Sequence, residues 1–142
     1  MILLDTNAIS EFMKPAPSER VTQWLRSEEM ESVFVTAITR AEVLYGVELL
    51  PDGRRKQSLA QATDRLFDEY FRDRILPFDH EAAREFARIS AARRARGRPM
   101  SQFDAMIAAI ARCHRATLAT RNTADFEHCG IRLINPWGAD VH

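Results

Sequence analysis

Lysine, cysteine and long apolar runs are all scarce in this chain of 142 residues, and each shortage excludes something. Two cysteines, Cys113 and Cys129, cannot build a disulfide framework and suit a reducing cytosol. Ala105 to Ala111 is the longest unbroken apolar run. It falls far short of the roughly 20 residues a membrane-spanning helix needs. An aspartate at position 5 with no basic stretch before it does not fit a secretory leader, so a cytoplasmic location is expected. Neither sign of charge is in excess, with 20 basic and 20 acidic residues. That argues against a protein held on nucleic acid mainly by a global positive field. Among the basic residues only Lys14 and Lys56 are lysine. Arginine suits bidentate phosphate or carboxylate contacts, although genomic base composition is the simpler cause of the bias.

What is present is an ordinary globular balance, 46% hydrophobic and 28% charged. Repeats, low-complexity tracts and linkers are not seen. A single domain over 1–142 is expected, burying roughly two thirds of its unfolded surface without disulfide or structural metal.

The hydrophobic pattern alternates short strands with helices. Strands are expected at Met1–Leu4, Ser32–Thr36, Ile75–Phe78, Ala116–Thr120 and Ile131–Ile134. Helical spacing runs through Ile9, Phe12 and Met13 until Pro15 and Pro17, and again through Val21, Trp24 and Leu25. Further helices are expected over Thr39–Leu50, through Leu59, Ala62, Leu66, Phe67, Tyr70 and Phe71, and from Asp79 to Gly97. The face of the last of these is read as Ala83, Phe86, Ala87 and Ser90. Ser101–His114 is a helix apolar almost all round, and Thr123–Glu127 is a short one. Strands that are continuous apolar runs indicate a parallel sheet covered on both faces, an α/β fold. Such sheets place their sites beyond the carboxyl ends of the strands.

Four acids stand at those ends. Asp5 closes the first strand, Glu42 lies early in the helix after the second, Asp104 heads the helix before the fourth, and Asp125 lies just after the fourth. A structural reading is available for each. Thr39-Arg-Ala-Glu42 has the form of a capping box, and Ser101-Gln-Phe-Asp104 and Asn122-Thr-Ala-Asp125 are looser versions of it. Asp5 suits a plain N-cap. Burial and crowding argue for more. Asp104 heads a helix expected to be buried and is therefore partly desolvated. Two carboxylates about 4 Å apart repel by roughly 4 kcal/mol at an effective dielectric near 20. A close cluster must therefore take up a proton or a cation, and oxygen-only ligands favour Mg²⁺ or Mn²⁺. Asp79 is the contrasting case: after an edge strand, it should cap a helix and do nothing else.

These residues resemble a known family. Leu3-Leu4-Asp5-Thr6-Asn7, Thr39-Arg-Ala-Glu42, Asp104 before an Ala/Ile-rich helix, Thr120-Arg-Asn122-Thr-Ala-Asp125-Phe and the Asn135-Pro136-Trp137 ending look like a PIN-domain ribonuclease. The nearest likeness is to VapC/FitB-type toxins of bacterial toxin–antitoxin pairs, in order along nearly the whole chain. The resemblance implies a PIN-domain-like α/β/α sandwich with a central five-stranded parallel sheet. It implies a Mg²⁺- or Mn²⁺-dependent endoribonuclease leaving 5′-phosphate and 3′-hydroxyl ends. It also implies a cognate antitoxin that blocks the site, a homodimer that assembles further through antitoxin, contact with DNA only through the antitoxin, and tRNA or rRNA loops as substrate.

Carried over residue by residue, Asp5, Glu42 and Asp104 match the three central catalytic and metal-holding acids. The fourth position stays open between Asp125 and Asn122, because Asn122 stands where some relatives have an acid, and Asn supplies no charge. Thr6 and Asn7 would hydrogen-bond a carboxylate or the phosphate, or serve the first helical turn. Thr120 would contact a water at the site. Gly46, one turn past Glu42, leaves room above the acid or allows close helix packing. Arg93, Arg94, Arg96 and Arg98 form the densest basic patch, as an RNA-binding edge or a solvated helix end. The non-enzymatic alternative is a PIN-fold partner-binding module, acting with its antitoxin in DNA-bound regulation. Asn122 alone favours it.

Other readings fare worse. Cys113-His114 and His128-Cys129 are neighbour pairs about 100° apart on a helix, a poor zinc chelate. A haloacid-dehalogenase-like phosphatase needs a second acid where Asn7 stands. Trp24 and Trp137 are read as packing residues.

Overall fold

A computed structural model describes residues 1–138. Its centre is a parallel sheet of β1 (Ile2–Leu4), β2 (Val33–Thr36), β3 (Ile75–Leu76), β4 (Thr117–Ala119) and β5 (Arg132–Ile134). The strand order is β3-β2-β1-β4-β5. The chain thus builds outward from β1 in one direction, then returns to lay β4 on its other side. The crevice between β1 and β4 is the topological switch point, where open α/β sheets bind ligands. Register there is tight: Leu3 lies beside Leu118 and Leu4 beside Ala119.

The helices are α1 (Thr6–Phe12), α2 (Glu19–Arg26), α3 (Ala37–Glu48), α4 (Arg54–Arg65), α5 (His80–Ala95) and α6 (Gln102–Cys113). They cover both faces of the sheet. Leu3 packs with Ile89 of α5, with Ile107 and Ile110 of α6 and with Leu118. The next residue, Leu4, points the other way and packs with Ala8 and Ile9 of α1, Trp24 of α2 and Phe67. That inversion between neighbours is the period of two that strands impose. It yields the α/β/α sandwich expected from the sequence. Ile107 and Leu118 are fully buried. Each contributes about 1.5–3 kcal/mol by burial and anchors α6 against the sheet, which sets the position of Asp104 at its head.

Three local expectations are corrected. α3 begins at Ala37, because Thr36 is already extended at the end of β2 and its hydroxyl accepts from Thr39 N at 2.9 Å. Thr39 and Glu42 therefore do not form a capping box. The inward face of α5 is Ala82, Ile89 and Arg93, with Phe86 packing on the core as expected and Ala83 and Ala87 exposed. Arg93 completes that face, its guanidinium taken up by the carbonyls of Arg98, Asp125 and Glu127. The helical pattern after Leu59 is not one regular helix. α4 passes into a π-helical turn at Leu66–Tyr70, closed by Phe71 N on Leu66 O at 2.9 Å. The extra residue turns Phe67 and Phe71 into the core and leaves Tyr70 exposed. Asp79 does cap α5, accepting from Ala82 N at 3.0 Å, after β3 at the sheet edge. Among the described residues no helix is long and apolar enough to cross a membrane.

Candidate active site

β1 delivers Asp5 to the switch point. The residue is 5% exposed and caps α1, its Oδ1 accepting from Thr6 N at 2.8 Å. Its other oxygen accepts from the Thr120 hydroxyl, also at 2.8 Å, just beyond β4. Thr120 is fully buried, and its oxygen also accepts from Asn7 Nδ2 at 3.2 Å and Asn122 N at 3.1 Å. Asn7 in turn accepts from Arg121 N at 3.3 Å. Asp5 is therefore held by a network that ties the start of α1 to the turn after β4. Thr120 is engaged throughout that network and positions the Asp5 carboxyl.

Glu42 reaches the same place from α3. Its Oε1 accepts from the Thr6 hydroxyl at 2.8 Å, and that hydroxyl lies 3.1 Å from the buried Thr39 hydroxyl. Thr6 thus links Asp5, through its backbone, to Glu42, through its side chain. Asp104 arrives on the first turn of α6, where the Ser101 hydroxyl caps Asp104 N at 3.2 Å.

Asp5, Glu42 and Asp104 line one open cavity of about 430 Å³, together with Thr6, Asn7 and Asn122. Their carboxyls share an electrostatic signature. Burial pushes the Asp5 carboxyl up to about 6, against the Thr120 and Thr6 hydrogen bonds, and the Asp104 and Glu42 charges push the same way. Burial likewise raises Glu42, opposed by the Thr6 hydroxyl and reinforced by Asp104. Asp104 is raised by burial and by Asp125, with Ser101 and Arg93 pulling the other way. Each acid thus holds its proton more tightly than in water, the mark of crowded carboxylates facing a low-dielectric wall.

The fourth acid is placed differently. Asp125 is exposed in the helical turn Thr123–Phe126 and does not line the cavity, although its charge is felt by Asp104. Asn122 lines the cavity instead. The expected meeting of all four acids is thus met by three. Among the described residues no three His, Cys, Asp or Glu side chains converge closely enough to enclose a metal ion. The donor chemistry nonetheless fits Mg²⁺ or Mn²⁺. All the donors are oxygens, Asp5 is buried and reluctant to stay charged alone, and Mg²⁺ keeps several waters while taking one or two carboxylates.

The expected basic patch also divides. Arg93 is 4% exposed, and its guanidinium donates to the carbonyls of Arg98 at 2.7 Å and of Asp125 and Glu127, both at 2.9 Å. It pins the Asp125 turn to α5 and is not a surface residue. Its buried position is the physical reason that it leaves the patch. Arg94, Arg96 and Arg98 are exposed, and Arg98 pairs with Glu127 at 3.3 Å.

Residues 2–130 match the family described as PIN domain. The chain belongs to the PIN-domain family. Toxin FitB of Neisseria gonorrhoeae is 42% identical over 137 residues, which span 96% of this chain and 99% of that protein. VapC ribonuclease Y4jK of Sinorhizobium fredii is 36% identical over 137 residues, spanning 96% and 98%. The solved structure of FitAB bound to an IR36 DNA fragment superposes with a TM-score of 0.92 at 42% identity, covering 100% of this chain and 99% of that one. This PIN domain is therefore of the FitB and VapC kind.

Ser10, Glu11, Lys14, Arg121 and Trp137 also line the acid cavity and were not assigned to it from the sequence. Glu11 is buried, pairs with Lys14 Nζ at 2.8 Å and accepts from the Trp137 indole at 3.3 Å. In contrast to the other acids, its carboxyl is held below its ordinary range, chiefly by Lys14. Arg121 lies over the Trp137 ring, 5.5 Å from its centroid. The signal available was the spacing of Asn7 and Glu11, four apart on α1, with Lys14 three residues further on, just past the helix end. Trp137 packs on the core, as expected, but also faces this cavity. Gly46 borders a second groove of about 600 Å³ between α1, α3 and α4, which shares Thr6, Ser10, Lys14 and Glu42 with the acid cavity. A Cβ at Gly46 would meet nothing within 4 Å, so close helix packing does not require the glycine.

Proposed function

We propose that this PIN domain is a metal-dependent endoribonuclease and the toxin half of a toxin–antitoxin pair. The observation that carries the reading is the convergence of Asp5, Glu42 and Asp104, from three different elements, on one cavity in which each carboxyl is shifted toward the neutral form. Bringing three carboxylates together is unfavourable for folding, and a divalent cation reverses that electrostatics. The names of the relatives, a toxin and a ribonuclease, support the same reading.

Asp5 and Asp104 would hold Mg²⁺ or Mn²⁺, with Glu42 completing the set or orienting the attacking water. When bound, the ion supplies Lewis-acid stabilisation of phosphate charge and makes water more acidic. The remaining work belongs to the protein. Thr6 and Thr120 keep Asp5 and Glu42 oriented through the hydrogen bonds above. Asn122 and Asp125 serve the outer side of the site, Asn122 by hydrogen bonding and Asp125 by charge. Arg94, Arg96 and Arg98 hold RNA phosphates. Hydrolysis by water leaves a 5′-phosphate and a 3′-hydroxyl. The substrate is a tRNA or rRNA loop, where unstacked bases are accessible. The protein acts in the cytoplasm as a homodimer, and a segment of its antitoxin occupies the apolar groove beside Gly46, which opens onto Glu42. The antitoxin, in turn, carries the assembly to DNA.

The test is incubation of antitoxin-free protein with cellular RNA and Mn²⁺ or Mg²⁺, against EDTA and Asp104→Asn, with the fragment ends mapped. Cleavage that needs both metal and Asp104 and leaves 5′-phosphates is expected. Cyclic-phosphate ends would overturn the mechanism. A folded, metal-binding protein that cuts nothing would favour the partner-binding module, to which the uncharged Asn122 in the cavity already points.

A further inference from the structure

The acid cavity has a cationic wall, and nothing in the proposed hydrolysis uses it. Lys14 lies just past the C-cap of α1 and Arg121 follows Thr120, and both line the cavity that holds Asp5, Glu42 and Asp104. Neither is placed by chance rotamers. Lys14 Nζ rests on Glu11 Oε2 at 2.8 Å, and Glu11, 6% exposed, is fixed by the Trp137 indole at 3.3 Å. Trp137 is itself pinned, since its N–H donates to Asn135 Oδ1 at 2.9 Å and its carbonyl accepts from Arg20 at 3.3 Å. Arg121 lies over the same indole, and its backbone N–H is held by Asn7, the residue that also bonds Thr120.

Stability alone does not require Lys14 to face the cavity. The Lys14 side chain is 58% exposed, and a pair with one end in water contributes little. Lys14 and the Trp137 indole keep the buried Glu11 charged, so the assembly holds a fixed ion pair at the cavity rim. Electrostatics supplies a use for it. A nucleic-acid strand entering a cavity lined by three carboxylates is repelled at the phosphates nearest them, within about a Debye length. A cation held at the acids can relieve only the phosphate it touches. The neighbouring phosphate needs positive charge at the rim, on side chains rigid enough to set the strand in register.

We propose that Lys14 and Arg121, braced by Glu11 and Trp137, form a phosphate subsite that positions the RNA strand beside the acid cluster. The proposal rests on the nuclease reading for its choice of ligand. Lys14 and Arg121 contact the phosphate next to the scissile one, and Glu11 is a positioning residue that acts through Lys14.

The subsite is tested by binding a fluorescent single-stranded RNA to full-length protein in the Asp104→Asn background, in EDTA, over a series of KCl concentrations. Each lost phosphate contact should flatten the plot of log affinity against log salt by about 0.7 for a single strand. Lys14→Gln and Arg121→Gln are each expected to show that flattening and a several-fold weaker affinity. Lys14→Arg should restore the slope. Arg84→Gln, an exposed arginine of α5 outside the cavity, should leave it unchanged. Glu11→Gln keeps the volume and an acceptor for Trp137 but frees Lys14. With Asp104 intact, it should lower kcat while RNA binding stays as tight or tighter, a split that a merely structural role would not produce. Melting curves establish that each variant is folded. Unchanged salt slopes in both Lys14→Gln and Arg121→Gln overturn the subsite, even if the protein cleaves RNA. Absent cleavage by the parent protein, with the slope changes present, removes the nuclease reading and leaves the subsite standing.

Discussion

The Thr120 hydroxyl donates to Asp5 Oδ2 at 2.8 Å, joining two residues 115 positions apart at the ends of adjacent strands. The bond is what the switch-point topology makes possible, and it helps keep a buried carboxylate charged. Thr120→Val preserves shape and removes the donor. Asp5 then holds its proton more tightly still, and Asn7 Nδ2 and Asn122 N lose their acceptor. We expect a loss of about 1–3 kcal/mol in stability from the unsatisfied groups. The acid limb of the cleavage pH profile should move to higher pH. An unmoved limb in a folded variant would separate Asp5 ionisation from turnover.

Asp5 also sets a pH dependence of stability. Its folded carboxyl titrates near 6, above the ordinary 3.8. A raised value means that the folded protein binds the proton more tightly than the unfolded chain. The contribution is favourable below about 3.8 and is lost as the pH rises through about 6. At pH 7.5 the metal-free protein therefore carries a penalty of order 2–3 kcal/mol at this residue. Asp5→Asn should raise the melting temperature at pH 7.5 and lose that advantage near pH 4. The gain is reduced because an amide N–H would face the Thr120 oxygen, which already accepts two bonds. Mn²⁺ should raise the melting temperature of the parent protein, more at pH 7.5 than at pH 5.5, and do little for Asp5→Asn. Equal melting temperatures for the two metal-free proteins at pH 7.5 would show that Asp5 carries no penalty.

The sheet and the three converging acids were legible because they are written in local patterns. β1, β2 and β4 are apolar runs buried on both faces, and Asp5 and Asp104 sit at a strand end and a helix head. Side-chain partnerships were not legible. Arg93 looks like its exposed neighbours until the fold brings the Asp125 and Glu127 carbonyls to it. Glu11 looks like any helix-surface acid until Trp137, 126 positions away, closes over it. The π-helical turn that buries Phe71 leaves a spacing close to that of a regular helix. Which of Asn122 and Asp125 faces the cavity depends on the twist of one short turn, and no hydrophobic period records that.

Arg93 and its neighbours should separate stability from RNA contact. Arg93→Met leaves three carbonyls that lose their guanidinium donor. Hydrogen bonds to charged groups contribute roughly 1.5–3 kcal/mol each, non-additively, so a loss of 3 kcal/mol or more is expected. Arg94→Gln and Arg96→Gln, both at exposed positions, should change stability by less than about 0.5 kcal/mol. If they hold phosphates, they flatten the salt dependence of RNA binding. Denaturant titration and the salt series read the two effects independently. A stable Arg93→Met protein would show that its network is dispensable.

Gly46 offers the opposite kind of change. It lies within α3, exposed, and a Cβ there has no neighbour within 4 Å. Glycine inside a helix costs about 0.5–1 kcal/mol relative to alanine through lost backbone entropy. Gly46→Ala should therefore stabilise the protein by that amount. Cleavage by the free protein should be unchanged, because the methyl points into the groove and not at the carboxylates. Affinity for the antitoxin should fall if its segment lies against α3 at this point. Chemical denaturation, a cleavage assay and a titration with antitoxin read the three effects. Unchanged antitoxin affinity, with the stability gain present, would place the antitoxin segment elsewhere on the surface.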